Sequence, residues 1–441
     1  MTTVSPSQVA TSEGARRTQL PDHIQERLGE LAGAAKEGRM ALSVGVGLGV
    51  LHDLMAAEVD EVVGPKGRHD PERRTKRHGH EETSVTLGAR RVGVSRPRVR
   101  SADDAHEVPL ATFSHFAARD PLSDAVLERM LCGVSTRRFA RTSEPVGEGV
   151  EALERSTSKS AVSREFVAKT AESLKALMSR RLDDVRLAVL MLDGIELKGR
   201  TNVVALGITT EGVKVALGLW EGSTENAAVA TALLSDLVER GLDTSQGVLC
   251  VIDGAKALRK AIRDVLGERT PVQRCIRHKE RNVAAHLPER DRPQIKRRLR
   301  AAWTLGSHAA ATERLEALAG ELERSHPGAA ASLREGLAET MTVNRLGVSG
   351  PLRRTLSSTN PCESMIECVR RTARNVKRWQ SGEMCLRWTA AGMLEAEGQF
   401  RRIIGYRDLA KLANAVEREV ALARPITVSP NPTPEVVATP A

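Results

Sequence analysis

The chain has 441 residues, 41 % of them apolar and 28 % charged, which is typical of a soluble globular protein with more than one domain. Its formal net charge of +10 favours an anionic partner such as nucleic acid, while 2 % aromatic residues argue against base stacking as the main binding mode. Six scattered cysteines without repeated Cys-x-x-Cys spacing argue against a disulfide framework and favour a reducing compartment.

The ends of the chain show no targeting signal. The first twenty residues lack an apolar signal core, and the Gly-rich apolar stretch at 41–51 is about half the length of a membrane span. We therefore predict a cytoplasmic protein with no membrane partner. Residues 1–20 and 421–441, rich in Ser, Thr or Pro, are predicted to be disordered.

Residues 21–180 are predicted to form a mostly helical, basic, DNA-binding region. Residues 21–62 show a helical pattern with a Gly-rich weak point at 44–49. Residues 64–100 hold eleven Lys and Arg against four Asp and Glu, and their second part alternates like a β-hairpin with Gly88 near the turn. The basic segment is either a solvated run of charge or an arm that contacts phosphates.

Two candidate helix-turn-helix units follow. In "LERMLCGVSTRRFA" (127–140), Gly133 would make the turn, and in "STSKSAVSREFVAKTAESL" (156–174) small residues would cap the helix. Packing of three helices without DNA explains either pattern equally well. The candidate DNA contacts are Arg137, Arg138, Arg164 and Lys169.

From residue 185 the pattern predicts an α/β domain. The predicted order is βββαβαβα, with three antiparallel strands first and a helical interruption before the last helix. This order resembles a ribonuclease H-like core, a mixed five-stranded sheet with an all-helical insertion. The predicted strands are 186–192, 202–208, 213–220, 247–252 and 271–274, and the predicted segments are 181–285 (first part of the core), 286–350 (insertion) and 351–420 (second part of the core).

Two of the predicted strands end in an acid followed by glycine. Asp193-Gly194 closes the first strand and Asp253-Gly254 the fourth, and these strands are neighbours in the predicted topology. Two adjacent carboxylates repel unless a cation intervenes, and oxygen ligands point to Mg²⁺ or Mn²⁺. A pair of such ions can drive phosphoryl transfer. The alternative is that each Asp-Gly pair is ordinary turn chemistry.

A third acid stands in "LSSTNPCESMIECVRRTARNVKRW" (356–379). Thr359-Asn360 would cap a helix with Glu363 in its first turn, and Glu367 lies one turn further on. The basic residues of the following turns would track a DNA backbone. The alternative is a charged surface helix. These basic candidates are Arg370, Arg371 and Arg374.

The motifs "LDGI", "EGSTEN", "VIDGAKAL", "QRCIRHKERNV" and "STNPCESM" together resemble bacterial insertion-sequence transposases of the Mutator type. The resemblance implies a catalytic Asp-Asp-Glu triad at Asp193, Asp253 and Glu363, which would hold the two metal ions. It also implies that the family's Cys-x-x-His element falls on Cys275 and His278, with a structural or DNA-positioning role.

Zinc is not expected at the Cys-x-x-His element, because no second ligand pair lies at zinc-finger spacing. The basic residues around this element would suit phosphate contact; they are Arg274, Arg277, Lys279 and Arg281. In the segment 286–350, Trp303 is the only tryptophan available to wedge into DNA, so stacking-assisted processing of DNA ends is doubtful.

The resemblance implies an enzyme that binds terminal inverted repeats and target sites in double-stranded DNA, and that cleaves and joins strands with Mg²⁺ or Mn²⁺. It implies at least a homodimer, because two ends must be paired, and a nucleoid-associated location. No Walker-type loop is present, so no nucleotide cofactor is expected. The alternatives are a metal-dependent nuclease with the same core and a non-catalytic, DNA-binding domesticated transposase.

Overall fold

The computed structural model describes most of the chain between residues 40 and 421. The predicted disordered segments therefore lie outside the described residues, apart from residue 421. The chain divides into two compact units, up to Lys169 and from Thr170, with the boundary inside one helix. The described ranges are 40–68, 73–87, 90–118, 120, 124–139, 159–222, 226–245 and 247–421.

The first unit combines helices with a small antiparallel sheet in the order β1-β2-β3. Apolar side chains of one face of the β1–β2 hairpin pack with α1 into a core that includes Leu51, Met55, Val85 and Val94. The elements are α1 (Met40–Val63), β1 (Thr75–Leu87), β2 (Arg90–Ser101), β3 (Glu107–Val108), α2 (Ala111–Ala118), α3 (Asp124–Leu131) and α4 (Lys159–Ser179), the last crossing into the second unit.

The hairpin predicted in the basic segment is confirmed. Strands β1 and β2 pair antiparallel up to Leu87 and Arg90, and the predicted turn residue Gly88 lies outside the described residues. The predicted weak point at 44–49 is wrong, because α1 runs through it without a break. Packing of the apolar face of α1 on the hairpin outweighs the low helix propensity of glycine there.

The helix-turn-helix predictions fare less well. Gly133 does end α3 with a φ of 94°, but residues 135–139 form turns rather than the start of a recognisable second helix. Residues 140–158 lie outside the described part of the chain. In the second candidate, residues 159–174 belong to α4, a single continuous helix of 21 residues. The described residues thus contain no completed helix-turn-helix pair.

The second unit is built on a mixed five-stranded sheet, as predicted. Its strand order is β6-β5-β4-β7-β8. The first three strands form an antiparallel meander, and β7 and β8 add parallel to β4. The strands are β4 (Leu187–Leu197), β5 (Arg200–Thr209), β6 (Lys214–Gly222), β7 (Leu249–Ile252) and β8 (Val272–Arg274).

Helices cover both faces of this sheet. Helices α5 (Ala227–Glu239) and α6 (Lys256–Leu266) bury their apolar stripes against one face, which Leu190, Leu192 and Ile252 line. The other face carries the C-terminal helices, with α13 against β4. These helices are α13 (Asn360–Thr372), α14 (Gly382–Gly398) and α15 (Leu409–Ala421).

All the described secondary structure of the segment 286–350 is helical. Trp303 belongs to its apolar core, is 7 % exposed, and donates its Nε1 hydrogen to Thr340 Oγ1 at 3.3 Å. Trp303 is therefore a core residue and is not presented as a wedge for DNA. The helices from β8 to this segment's end are α7 (Ile276–Ala285), α8 (Arg292–Thr304), α9 (His308–Ser325), α10 (Pro327–Arg334), the 3₁₀ turn Ala338–Met341, α11 (Thr342–Arg345) and α12 (Gly350–Leu356).

Candidate active site

Asp193 lies within β4 and not at its end, which corrects the sequence prediction. Strand β5 pairs with β4 as far as Leu197 and Arg200, so the antiparallel ladder carries β4 past the Asp-Gly pair. The turn comes later, at Lys198 and Gly199, which both have positive φ. Ordinary turn chemistry therefore does not explain Asp193.

The two aspartates are nevertheless brought side by side. The parallel pairing of β4 with β7 ends at Leu192 and Ile252, so Asp193 and Asp253 occupy the next position along two neighbouring strands. Leu192 faces α5 and α6, and side chains alternate along a strand, so Asp193 faces the opposite side. That side carries α13, with Glu363 in its first turn.

Asp193, Asp253 and Glu363 form what we call the carboxylate cluster. Asp193 is 6 % exposed, and its Oδ1 accepts a hydrogen bond from the Gly194 amide at 2.9 Å. Burial, followed by repulsion from Asp253, raises the pKa of Asp193 to about 7; His278 acts to lower this pKa, and repulsion from Glu363 makes a smaller contribution that raises it. A buried carboxylate with two partly exposed acids beside it forms a site that favours a cation.

Gly254 lets Arg274 reach the loop that carries Asp253. Gly254 has a φ of 110°, and a Cβ atom at this position would overlap the guanidinium of Arg274. Arg274 Nη2 donates to Gly254 O at 2.5 Å and Nη1 donates to Glu335 O at 2.8 Å. Asp253 Oδ1 in turn accepts from the Ala255 amide at 2.8 Å. Hydrogen bonds therefore hold both the Asp253 carboxylate and the Gly254 backbone in place before the start of α6.

Glu363 is held by groups from two helices. The Thr359 hydroxyl, at the start of α13, donates to Glu363 Oε1 at 3.0 Å. From α7, His278 Nδ1 and Arg281 Nη2 approach the same oxygen to 3.7 Å and 3.6 Å. The prediction that a helix presents Glu363 in its first turn is confirmed, with Thr359 at the N-cap position, but the Thr359 side chain makes no capping hydrogen bond to the backbone. The carboxylate points toward the cluster and toward the Cys-x-x-His element.

The Cys-x-x-His element starts α7, directly after β8. The Cys275 amide continues the β7–β8 ladder by donating to Ile252 O at 2.8 Å. Burial acts to raise the pKa of the Cys275 thiol, but the nearby His278 ring and the contacts with Thr359 outweigh it, so this pKa lies below its usual value. The thiol contact in turn raises the pKa of His278. Cys275 and His278 therefore border the carboxylate cluster.

Two predicted DNA contacts are not placed to reach a phosphate. Lys279 is 1 % exposed and donates to Ser332 O at 2.7 Å and Glu335 O at 2.5 Å. Burial, followed by the charge of Arg274, lowers the pKa of Lys279 to about 8. Lys169 forms an ion pair with Asp124 at 3.0 Å, and its side chain is 12 % exposed. Both predictions are corrected, because Lys279 is buried against backbone carbonyl groups and Lys169 is paired with Asp124.

The other predicted contacts lie at the surface. Arg370 and Arg374 follow Glu363 along one face of α13 and continue beyond its end, since positions three and four apart share a helix face. Arg371 is exposed but donates to Cys368 Sγ at 3.3 Å. The predicted DNA contacts that are exposed in the structure are Arg137, Arg138, Arg164, Arg277, Arg370, Arg371 and Arg374.

Sequence reasoning missed what Arg274 and Arg281 do at this site. Both were seen only as basic residues near the Cys-x-x-His element. The glycine after Asp253 was the available signal for Arg274, because a guanidinium can approach the backbone this closely only at a residue without a Cβ. Arg281 carried no such signal, since its partner Glu363 is distant in the chain.

Comparison with known proteins identifies the family of this chain. A family described as Transposase, Mutator family, matches residues 30–402, so the chain belongs to the Mutator family of transposases. Membership makes it, in general terms, an enzyme that binds, cuts and transfers DNA. Among the helices in the described part of the chain, none is both long and apolar enough to cross a membrane.

Individual relatives match over most of their length. The chain is 29 % identical over 387 residues to the transposase for insertion sequence element ISRM5 of Rhizobium meliloti, covering 84 % of this chain and 92 % of the relative. It is 27 % identical over 379 residues to the IS1081 transposase of Mycobacterium tuberculosis, with 82 % and 87 % covered. The IS256 transposase of transposon Tn4001 from Staphylococcus aureus is 26 % identical over 343 residues, with 74 % and 83 % covered.

Proposed function

We propose that this protein is an Asp-Asp-Glu transposase with a ribonuclease H-like core, which cleaves DNA at the ends of an insertion sequence and joins them to target DNA. The observation that carries the proposal is the convergence of Asp193, Asp253 and Glu363 at one edge of the five-stranded sheet, with the pKa of Asp193 raised by burial and then by the other two acids. A cluster of three acids that Arg281 and His278 offset only in part serves no packing purpose. It is the donor set that a divalent cation requires.

The three carboxylates fit Mg²⁺ or Mn²⁺, because they offer hard oxygen ligands and a negative charge that His278 and Arg281 offset only in part. Asp193, Asp253 and Glu363 would hold the two ions. Bound there, the ions would activate an attacking oxygen and stabilise the leaving oxygen of a phosphodiester.

The protein's own residues prepare this site. Arg274 fixes the backbone that carries Asp253, and Thr359 fixes the Glu363 carboxylate. Asp193 is held in place because it pairs with Val204 of β5 and directly follows Leu192, the last residue of β4 that pairs with β7. These supports keep the three acids in place without DNA, so the site is organised in advance of the reaction.

The basic surface of α13 supports a path for DNA. Arg370 lies seven positions after Glu363 and falls on the same face of α13, about 10 Å further along the helix axis, and the exposed Arg374 follows just beyond the end of the helix. This spacing would let them contact phosphates of the strand that enters the carboxylate cluster. The first unit, with exposed Arg137, Arg138 and Arg164, would read the terminal repeats.

The proposal extends to the assembly. Because two element ends must be joined to one target, we propose a homodimer or a larger oligomer. We propose no nucleotide cofactor, since strand transfer exchanges one phosphodiester for another. Because the substrate would be chromosomal DNA, we place the protein in the cytoplasm at the nucleoid.

A joining assay separates transposase from nuclease. The full chain is incubated with pre-cleaved terminal ends, a supercoiled plasmid and Mg²⁺, and covalent insertion products are scored on a gel. Transposase activity predicts joined products. Cleavage of intact ends without joining would instead support the nuclease, and end binding without either reaction would support a non-catalytic DNA-binding protein.

A further inference from the structure

We propose that Cys275, His278 and Glu363 form a second metal site, for a soft divalent cation such as Zn²⁺, beside the carboxylate cluster. One ligand atom from each of these three side chains lies within 4.8 Å of the other two. Thiolate sulfur, imidazole nitrogen and carboxylate oxygen are the ligands that Zn²⁺ uses, whereas Mg²⁺ takes oxygen ligands. The two neighbouring sites thus differ in metal preference and share Glu363.

An unsatisfied nitrogen points into this second site. His278 Nδ1 is buried, and no group in the described residues meets it at hydrogen-bond geometry. It faces Glu363 Oε1 at 3.7 Å, too far for a hydrogen bond but suitable for two ligands on one small cation. A buried polar atom without a partner costs free energy, and a metal would supply the partner.

The sulfur ligand is already oriented. Cys275 is fully buried, its Sγ accepts from the Thr359 amide at 3.4 Å, and the Thr359 hydroxyl oxygen lies 3.5 Å from the same sulfur. The same hydroxyl donates to Glu363 Oε1. Thr359 therefore holds two ligands at once, as outer-shell residues of metal sites do. The side chain of His278 is 24 % exposed and gives the cation a way in from solvent.

Arg281 provides a way to distinguish a metal site from an ion-pair network. Its Nη2 lies 2.9 Å from His278 Nε2 and 3.6 Å from Glu363 Oε1, so it supplies positive charge in the metal-free protein. A cation on Nδ1 would leave the ring proton on Nε2, which could then no longer accept from Arg281. The Arg281 side chain is 60 % exposed and can turn into solvent. Metal and guanidinium therefore compete.

The Cys-x-x-His spacing alone does not reveal this site, because its third ligand comes from another helix far along the chain. A consequence for regulation rests on the proposed function. Zn²⁺ bound here would hold Glu363 away from the carboxylate cluster, and strand cleavage in Mg²⁺ would be inhibited.

The test uses the full chain without DNA or Mg²⁺, titrated with Co²⁺ as a spectroscopic substitute for Zn²⁺. We expect one equivalent of Co²⁺ to produce a thiolate-to-cobalt charge-transfer absorption that Zn²⁺ then abolishes. Cys275→Ser should remove the band. His278→Ala and Glu363→Gln should each weaken Zn²⁺ binding by at least tenfold, the lower limit of what outer-shell changes cost, roughly 10–100-fold.

Two control variants sharpen the result. Cys132→Ser removes the exposed thiol and should leave the band unchanged. Arg281→Ala should bind Zn²⁺ at least as tightly as the unaltered chain, since it removes the competitor. Because Cys275 is buried, the thermal midpoint is also measured: Zn²⁺ should raise it in the unaltered chain and leave it unchanged in His278→Ala.

Absence of a charge-transfer band in the unaltered chain, or a band that survives in Cys275→Ser, would overturn the proposal. Weaker Zn²⁺ binding in Arg281→Ala would do the same, since it would make the guanidinium a support rather than a competitor. A separate cleavage assay in Mg²⁺ tests the proposed function, so the failure of one proposal does not imply the failure of the other.

Discussion

The β1–β2 hairpin and the edge of the five-stranded sheet are both rich in ionisable groups, but they arrange them in opposite ways. Around the hairpin, opposite charges pair: Arg98 of β2 pairs with Glu107 of β3 at 2.7 Å, and Lys76 of β1 pairs with Asp104 of the β2–β3 loop at 2.5 Å. These hydrogen bonds lower the pKa of both acids. At the sheet edge, like charges are gathered, and the pKa of Asp193 rises to about 7.

The difference shows which charges serve the fold and which serve chemistry. Exposed cross-strand ion pairs satisfy each other and add little stability. A buried cluster of one sign destabilises the folded chain unless a ligand compensates it, so its presence indicates a site. The basic excess of the hairpin, which suggested a phosphate-contacting arm, is partly neutralised by Glu107 of the adjacent strand β3.

The largest expected effect comes from removing one acid of the carboxylate cluster. Asp253→Asn or Glu363→Gln should lower the rate of strand cleavage in Mg²⁺ by about a thousandfold or more, which corresponds to about 4 kcal/mol. Binding to terminal-repeat DNA should survive. The matched control is Glu367→Gln, one turn further along α13 and exposed, which should cleave normally. Normal cleavage by Glu363→Gln would remove that residue from the site.

A second comparison uses two glycines that flank α6. Gly254 and Gly267 have φ values of 110° and 103°, but only at Gly254 would a Cβ overlap Arg274. Both alanine variants should lose about 1 kcal/mol or more of stability from backbone strain. Gly254→Ala should lose more, together with cleavage activity. Equal thermal midpoints and equal activities in the two variants would show that the Arg274 contact is unimportant.

The two regions should also respond oppositely to pH. The folded chain retains a proton on Asp193 that the unfolded chain releases near pH 4, so without metal the free energy of unfolding should fall as pH rises from about 4 to 7. Asp193→Asn should abolish that fall, and Mg²⁺ should reduce it. Urea unfolding between pH 4 and 8 measures it. A pH profile that is the same in Asp193→Asn and the unaltered chain would argue against the raised pKa.

Glu107 provides the opposite case. Because Arg98 lowers the pKa of Glu107, its contribution to stability should be lost as pH falls below about 4, and Glu107→Gln should remove that loss.

The smallest expected effect concerns DNA affinity. Arg370→Gln should lower the slope of log affinity against log salt concentration by about one, because one phosphate contact is lost. Arg96→Gln is the matched control in the hairpin, where Glu81 and Glu107 already engage the guanidinium. It should change the slope less. Equal changes in the two variants would mean that pairing within the hairpin does not reduce phosphate contact.

Much of the five-stranded sheet can be predicted from local sequence patterns, but the candidate site can be predicted from them only in part. The runs around Leu190 and Val251 predict buried strands because they are continuous and apolar. The sequence did not predict that β4 continues past Asp193, because Asp-Gly is a turn signal. Pairing with β5, which lies further along the chain, extends the strand. Tertiary pairing outweighed local preference.

Charged residues in helices show the same limit. Lys279 and Arg281 look alike in "QRCIRHKERNV", yet one is buried against carbonyl groups and the other is exposed. Which of them faces the core depends on where α7 packs, and no local signal fixes that. For the same reason, the meeting of His278 with Glu363 is a property of the fold.

The most direct test of the central claim, that the carboxylate cluster binds the catalytic metal, is cleavage by Asp253→Cys with each metal in turn. A thiolate is a poor ligand for Mg²⁺, and Mn²⁺ accepts sulfur more readily. The account predicts no strand cleavage in Mg²⁺ and partial recovery in Mn²⁺, while Asp253→Ala stays inactive in both. Equal cleavage by Asp253→Cys and the unaltered chain in Mg²⁺ would contradict it.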